Sequence, residues 1–156
     1  MATSTVLLVE DDENHAELIR RHLGGHRVRF DLIHVTDGEE AIDYLLRKGN
    51  FQGLDASPAP QVILLDLRLP RIDGLEVLRF IKTEETLRLI PVVIISSSAA
   101  EKDVRDSYRL NANGYVVKPL DFKEFRSLMK ELGIYWLDWN QSASLASPKP
   151  GQSPLQ

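Results

Sequence analysis

The chain has 156 residues, a net charge of -4 and no cysteine, and this length suffices for one domain with a buried core. The acidic balance argues against a protein that coats nucleic acid, because phosphate binding requires a basic face. The lack of cysteine excludes disulfides, thiolate chemistry and cysteine-ligated zinc. The sequence has no apolar run near the roughly 18–20 residues of a membrane span and no secretory signal pattern. We therefore expect a cytoplasmic protein that does not bind membranes.

Short apolar runs alternate with amphipathic patterns along most of the chain. Five of the runs predict strands, at residues 5–9, 28–35, 62–65, 92–95 and 115–117. Apolar residues at helical spacing predict a helix after each strand, at about residues 15–23, 41–46, 75–81, 100–110 and 122–132. Such alternation with short connections indicates a parallel sheet covered by helices on both faces. We therefore predict one α/β domain over residues 1–133, with a five-stranded, doubly wound parallel sheet.

Three segments depart from the regular pattern. Residues 49–60 contain two glycines and two prolines without periodicity, and they predict a long loop of a kind that is often functional. The predicted helix at residues 100–110 has few large apolar residues, which indicates loose packing and mobility. The strand at residues 28–35 is less uniformly apolar than the others, which favours a position near the edge of the sheet.

Two further segments follow the predicted domain. Residues 134–140 form an extension dense in large aromatic side chains. This extension either closes over the edge of the domain or provides a protein–protein contact, since Trp and Tyr dominate interface energetics. Residues 141–156 are dominated by small and polar residues and proline, and they predict a disordered tail.

Polar residues follow the predicted strands at the edge where the carboxyl ends of parallel strands meet. The pair Asp11-Asp12 follows the first strand, and Asp66, Ser96 and Lys118 follow the third, fourth and fifth strands. Carboxylates held this close cannot all stay ionised cheaply, and Mg²⁺, which prefers oxygen ligands, would relieve their repulsion. A hydroxyl and an ammonium suit two oxygens of a phosphoryl group. The set predicts a metal-assisted phosphoryl-transfer site.

Asp66 is the predicted phosphoryl acceptor of this site, because it stands alone at the end of its strand. Asp11 and Asp12 come as a pair, which suits them to hold the metal ion. A carboxylate that attacks phosphorus forms an aspartyl phosphate, which is an established type of covalent intermediate.

Four motifs in this chain resemble those of the receiver domain of two-component response regulators. They are Leu7-Leu8-Val9-Glu10-Asp11-Asp12, Leu64-Leu65-Asp66-Leu67-Arg68-Leu69-Pro70 with Asp73-Gly74, Pro91-Val92-Val93-Ile94-Ile95-Ser96, and Gly114-Tyr115-Val116-Val117-Lys118-Pro119. The resemblance covers about residues 4–133 and implies a flavodoxin-like (βα)5 receiver fold. It also implies a signalling protein that acts through altered protein–protein contacts and catalyses only its own phosphorylation and dephosphorylation.

The resemblance implies a role for each acidic residue of the site. Asp66 would take the phosphoryl group from a phosphohistidine on a sensor histidine kinase. Asp12 and Asp66 would ligate Mg²⁺ together with the backbone carbonyl of Arg68, while Asp11 would act mainly through water.

The resemblance also implies a switch on the opposite side of the acceptor. Ser96 would hydrogen-bond the phosphoryl group and move toward it, and Lys118 would pair with one of its oxygens. Tyr115 would swing inward behind Ser96, and the bond between Lys118 and Pro119 is typically cis in this family. The output would be a shift in the surface of the fourth helix, fifth strand and fifth helix, which is a two-state element biased by one new charged group.

A narrower resemblance concerns the single-domain response regulators paired with bacterial phytochromes. The loop at residues 49–60, the Ser-rich end of the fourth strand and Tyr135-Trp136-Leu137 are similar to features of those proteins. This similarity implies a bacteriophytochrome as the kinase and a homodimer formed partly through the C-terminal region, with a downstream protein partner that the sequence does not identify. Arg68 occupies a position that often carries a short polar residue and influences dephosphorylation.

Two other functions fit parts of the sequence. A metal-dependent phosphatase with an aspartate nucleophile would usually carry a second aspartate two residues after the first, and Arg68 occupies that position. A non-phosphorylated pseudo-receiver would act as a dimeric binding scaffold with a vestigial site. The intact acids, Ser96 and Lys118 argue against that alternative.

Overall fold

The computed structural model describes residues 3–24, 27, 29–53 and 59–143. Within them the strands are β1 (Ser4–Val9), β2 (Phe30–Val35), β3 (Val62–Leu65), β4 (Val92–Ser96) and β5 (Gly114–Val117). The α-helices are α1 (Glu13–His22), α2 (Gly38–Leu46), α3 (Gly74–Thr83), α4 (Glu101–Arg109) and α5 (Phe122–Gly133). A 3₁₀ turn spans Gly49–Phe51, and a π-helical segment spans Ile134–Trp139. None of the helices in these ranges combines the length and the apolar character that crossing a bilayer requires.

The strands form one parallel sheet with the order β2-β1-β3-β4-β5. The direction of winding reverses between β1 and β3, so helices cover both faces, and the crevice at this reversal is where doubly wound sheets place their ligands. The prediction of a five-stranded, doubly wound parallel sheet is confirmed, and β2 lies at an edge as its composition indicated. Strand β2 begins at Phe30, and residue 28, its predicted start, lies outside the described residues.

Alternation of side chains along β1 builds two apolar cores, one on each face of the sheet. Leu7 and Val9 belong to the core that packs against helices α2 and α3. Val6 and Leu8 belong to the core that packs against helices α1 and α5. All four side chains are at most 2% exposed, as expected of a strand in the middle of a parallel sheet.

Helices α1 and α5 approach each other most closely where both end. A Cβ atom on Gly133 would lie 1.7 Å from the carbonyl oxygen of Gly24, so only glycine fits at this point of α5. The chain continues from Gly133 into the π-helical segment, where Leu137 is 3% exposed and joins the core of α1 and α5. The side-chain amide of Gln61 donates to the carbonyl oxygen of Trp136 at 3.0 Å and fixes this segment against the start of β3.

The aromatic extension is partly buried in the domain and partly exposed, and a protein–protein contact through it stays a prediction. Leu137 closes over the domain, whereas Tyr135 and Trp139 are 53% and 61% exposed. The guanidinium of Arg27 lies over the Trp139 ring, 5.1 Å from its centroid. The boundary of the domain at residue 133 remains a prediction, as does the disordered tail, because residues 144–156 lie outside the described part of the chain.

Helix α4 and the loop before β3 contain the least regular parts of the fold. Within Glu101–Arg109, all of which the structure describes, only Ser107 is buried, which agrees with the weak apolar pattern of this helix. The predicted loop at residues 49–60 starts with the 3₁₀ turn, and its residues 54–58 lie outside the described residues. The mobility predicted for α4 remains a prediction.

Candidate functional site

Four polar residues meet where the strands end, and all four are buried. Glu10 follows β1, Asp66 follows β3, Ser96 ends β4 and Lys118 follows β5. Their exposures are 1% for Glu10, 8% for Asp66, 0% for Ser96 and 7% for Lys118. The backbone N–H of Asp66 donates to the carbonyl of Val9 at 3.0 Å, which extends the sheet hydrogen bonding as far as Asp66. The sequence predicted Asp66, Ser96 and Lys118 at this edge but did not assign Glu10 to the site.

Lys118 links the buried carboxylates. Its ammonium donates to Asp66 Oδ2 at 2.9 Å and to Glu10 Oε1 at 2.5 Å. It also lies 3.0 Å from Nδ1 of His15, on the first turn of α1. Since buried charges are tolerated only when paired, Lys118 is the counter-ion of the buried carboxyl groups and a point charge held beside Asp66.

Burial and hydrogen bonding divide the charge unequally between the two carboxyl groups. Burial, with Asp66 nearby, raises the pKa of Glu10 to about 8 although Lys118 opposes the shift. Burial also disfavours ionised Asp66, but its hydrogen bonds to Glu10 and Lys118 outweigh burial and hold the pKa of Asp66 below its usual value. Burial disfavours charged Lys118, yet the same two carboxyl groups raise its pKa. The negative charge is therefore favoured on Asp66, beside the Lys118 ammonium, and Glu10 is the carboxyl group that more readily keeps a proton.

The acidic residues also form a group that suits a divalent cation. Carboxylate oxygens of Glu10, Asp11 and Asp66 lie within 4.8 Å of one another. Glu10 Oε2 is buried and has no hydrogen-bond partner among the described residues, so it is free to bind a metal ion. Hard cations such as Mg²⁺ and Mn²⁺ take oxygen ligands of this kind. The donor set therefore fits a divalent metal ion.

Asp12, which the sequence predicted as a metal ligand, caps helix α1 in the structure. Its Oδ1 accepts hydrogen bonds from the backbone N–H groups of Asn14 at 2.8 Å and His15 at 3.1 Å, so Asp12 is the N-cap of α1. The structure does not bring Asp12 into the acidic group, where Glu10 stands instead. The prediction placed the acid pair one residue too far along the chain, because it counted Asp11-Asp12 as the pair although Glu10 directly follows the last apolar residue of β1.

Arg68 connects Asp66 to helix α4. Its backbone N–H donates to Asp66 Oδ1 at 3.2 Å, and its guanidinium reaches Asp103 Oδ2 at 3.3 Å. The side chain of Arg68 is 75% exposed and that of Asp103 is 17% exposed. The same carboxylate accepts a hydrogen bond from the Ser98 hydroxyl at 2.5 Å. The role predicted for the carbonyl of Arg68 as a metal ligand stays a prediction.

The two predicted switch residues meet in the loop that follows β4. The hydroxyl of Ser96 accepts a hydrogen bond from the N–H of Ser98 at 3.1 Å. The hydroxyl of Tyr115 donates to the carbonyl of Ser98 at 2.8 Å. Ser98 therefore joins both residues to the Asp103 carboxylate of α4, and no periodic pattern in the sequence predicts this link.

The peptide bond before Pro119 differs from the expectation for the family. No described peptide bond is cis, so the bond between Lys118 and Pro119 is trans, which is the form that X–Pro bonds favour intrinsically. The prediction of a cis bond is wrong for this structure.

Comparison with known sequences gives one family. Residues 6–130 match the family described as response regulator receiver domain. The probable methanogenesis regulatory protein FilR2 of Methanothrix harundinacea (strain 6Ac) is 42% identical over 138 residues, which cover 88% of this chain and 86% of FilR2.

Solved structures give the same result. The phosphorylated cyanobacterial phytochrome response regulator RcpA superimposes with a TM-score of 0.85 at 36% identity, covering 91% of this chain and 99% of RcpA. The Mn²⁺-bound form of response regulator Rcp1 of Synechocystis superimposes with a TM-score of 0.82 at 35% identity, covering 89% of this chain and 98% of Rcp1. The Mn²⁺ in Rcp1 agrees with a divalent cation site at the acidic group described above. The chain is thus a member of the response regulator receiver family, related to the phytochrome response regulators.

Proposed function

We propose that this protein is a single-domain response regulator that accepts a phosphoryl group on Asp66 from a sensor histidine kinase in a Mg²⁺-dependent reaction. The observation that carries the proposal is the position of Asp66, buried at the end of β3 with the Lys118 ammonium 2.9 Å from Oδ2. The acidic group of Glu10, Asp11 and Asp66 supports the metal requirement.

In the proposed reaction an oxygen of Asp66 attacks the phosphorus of a phosphohistidine. The P–N bond breaks, its electron pair stays with the imidazole of the donor, and that nitrogen takes a proton from solvent. Glu10, Asp11 and Asp66 would hold Mg²⁺, with the carbonyl of Arg68 as a further ligand, and the metal would neutralise charge on the phosphoryl oxygens. Lys118 donates to one of those oxygens as the charge on them develops.

The proposed output begins in the loop after β4. A phosphoryl group on Asp66 offers three strong acceptor oxygens. The Ser96 hydroxyl would move to donate to one of them and would give up the hydrogen bond that it accepts from the Ser98 N–H. Tyr115 would then lose the position of its own acceptor, the carbonyl of Ser98, and move inward. Since Ser98 also holds Asp103, the movement would reach α4 and alter the surface of α4, β5 and α5.

The proposed partners follow from the relatives. RcpA is a phytochrome response regulator, which supports a phytochrome-type histidine kinase as the donor, while FilR2 is described as a methanogenesis regulator. We further propose a homodimer that uses the exposed Tyr135 and Trp139 of the aromatic extension, a receiver domain ending near residue 133, and a cytoplasmic location. Neither a membrane nor a nucleic acid is a proposed partner.

Intact-mass spectrometry tests the proposal. Wild type and Asp66→Asn are incubated with acetyl phosphate, with Mg²⁺ or with EDTA. The expected result is the addition of one phosphoryl group, stable in acid and labile in base, to wild type with Mg²⁺ alone. If neither protein gains mass and Mn²⁺ binding is also absent by calorimetry, the phosphorylation proposal is wrong and the pseudo-receiver scaffold remains.

A further inference from the structure

The ammonium of Lys118 has three N–H donors, and the structure gives each of them an acceptor. Two acceptors are Glu10 Oε1 and Asp66 Oδ2, and the third is His15 Nδ1 at 3.0 Å. Only 5% of the Lys118 side chain is exposed, so water has little access to replace a lost partner. His15 is the one member of this set without a role in the function proposed above.

His15 is held in place from two helices. Its backbone N–H is bound by the N-cap Asp12 of α1 at 3.1 Å. Its ring lies against the ring of Phe125 on α5, with 6.3 Å between centroids and 31° between planes, and Phe125 is only 4% exposed. Nδ1 also lies 3.3 Å from Glu10 Oε1 and 3.8 Å from Asp12 Oδ2. Because an ammonium cannot accept, a hydrogen bond between Lys118 and His15 requires Nδ1 as the acceptor and the ring proton on Nε2.

The three partners of Lys118 differ in what happens to them during the proposed reaction. One carboxylate oxygen of Asp66 would become the bridging oxygen of the acyl phosphate, and Glu10 belongs to the group that would turn toward the metal ion. Both carboxylates therefore change partners when the metal ion and the phosphoryl group arrive. His15 belongs to neither change, so its Nδ1 remains available to Lys118 before and after transfer.

We propose that His15 is a positioning residue of the acceptor site, whose Nδ1 keeps the Lys118 ammonium beside Asp66 while the two carboxylates exchange partners. The inference rests on the proposed function, since Lys118 matters to transfer only if a phosphoryl group reaches Asp66. It assigns to His15 a contact with the lysine and none with the phosphoryl group.

Two substitutions separate this role from a purely structural one. His15→Phe retains a flat ring against Phe125 but removes the acceptor. His15→Asn loses most of the ring but offers Oδ1 near the position of Nδ1. If His15 only packs against Phe125, His15→Phe should behave more like wild type than His15→Asn. If His15 positions Lys118, His15→Asn should behave more like wild type.

The first measurement is the initial rate of phosphorylation by acetyl phosphate at saturating Mg²⁺. The loss of one hydrogen bond to a charged group predicts about a tenfold slower reaction for His15→Phe. The Asn variant should stay within about threefold of wild type, because it keeps an acceptor for the ammonium. Equal rates for wild type and His15→Phe would overturn the inference, as would a loss in His15→Asn as large as that in His15→Phe.

The second measurement is independent of phosphorylation. An ¹⁵N-detected lysine ammonium signal survives exchange with water only when the N–H groups are held, and Lys118→Arg assigns the signal. Wild type and His15→Asn should retain the Lys118 signal, and His15→Phe should lose it. A signal that persists unchanged in His15→Phe would contradict the contact. If wild type takes up no phosphoryl group at all, the proposed function fails and the positioning role falls with it, whatever the ammonium signal shows.

Discussion

Helices α1 and α5 are held in place by different forces from those that hold helix α4 beside Asp66. Helix α5 buries Phe125, Met129 and Gly133 against the sheet and against α1, so it is held mainly by apolar contact. Helix α4 buries only Ser107 among its residues, all of them described, and Arg68 links it to Asp66. Apolar packing is non-directional and hard to exchange, whereas hydrogen bonds and exposed ion pairs contribute little net stability and exchange easily. The stability of the fold and its response to a new charge on Asp66 therefore depend on different parts of this molecule.

The largest effect is expected in the layer of α1 and α5. Met129 is fully buried, and Met129→Ala should lower the free energy of unfolding by about 2–4 kcal/mol, since the site cannot collapse around the missing atoms. The control is Tyr108→Ala on α4, where the side chain is 51% exposed and the change should stay within about 0.5 kcal/mol. Urea unfolding measures both. A similar loss in the two variants would remove the distinction between the regions.

The next effect is the pH dependence of the metal-free protein. Glu10 has a pKa raised from 4.5 to about 8 by burial, so between these values the folded protein keeps a proton that the unfolded chain has released. Stability from this group is complete below the lower value and is lost as pH rises toward the upper one, by up to about 1.4 kcal/mol per pH unit. The pKa of Asp66 is lowered, so this group contributes to stability in a separate pH range. Its contribution is lost as the pH falls below the ordinary pKa of an aspartate.

Urea unfolding in EDTA at pH 5, 6, 7 and 8 measures this dependence. Glu10→Gln cannot ionise, so its stability should not show the fall seen in wild type, and it should exceed wild type most at pH 8. Wild-type and variant curves that run parallel over this range would contradict the assignment of a buried, protonated Glu10.

A bound divalent metal ion should offset the electrostatic repulsion within the acidic group and stabilise the folded protein. Mg²⁺ at ten times its dissociation constant should stabilise wild type by about 1.4 kcal/mol. Asp11→Asn should lose most of this gain, because Asp11 belongs to the acidic group. Asp12→Asn is the matched control, since Asn also serves well as an N-cap and the gain should remain. Thermal shifts measured with and without Mg²⁺ decide between the two aspartates, and loss of the gain in Asp12→Asn alone would restore the arrangement that the sequence predicted.

The smallest effect on stability is expected at the link to α4. Arg68→Ala removes an exposed ion pair with Asp103 and should cost less than about 1 kcal/mol of global stability. The amide hydrogens of α4 should nevertheless exchange faster, because this helix has little apolar anchorage. Arg79→Ala on α3 is the control, since Arg79 also makes an exposed ion pair, with Glu76 at 3.9 Å. Unchanged exchange in α4 would show that apolar contact is enough to hold it.

The sequence predicted the fold well because its signals are periodic and local. Buried strands of a parallel sheet read as continuous apolar runs, and each predicted strand is present. The placement of Asp66 and Lys118 side by side was also predicted, since the ends of parallel strands meet at one edge.

The remaining features of the site depend on geometry that has no periodic signal. The carboxylates of Glu10 and Asp12 are two residues apart, and the structure uses one in the site and the other as a helix cap. The end of the apolar run at Val9 was the signal that would have selected Glu10. His15 reaches Lys118, 103 residues away in sequence, through the packing of α1, and no local pattern encodes such a contact.

The most direct test of the central claim is the location of the phosphoryl group. Sodium borohydride reduces an aspartyl phosphate to homoserine, and tandem mass spectrometry then identifies the modified position after treatment with acetyl phosphate and Mg²⁺. We expect homoserine at residue 66 in wild type with Mg²⁺, none in samples prepared with EDTA, and none in Asp66→Asn. Homoserine at residue 11 or 12, or an unmodified Asp66 in protein that has gained the mass of a phosphoryl group, would contradict it.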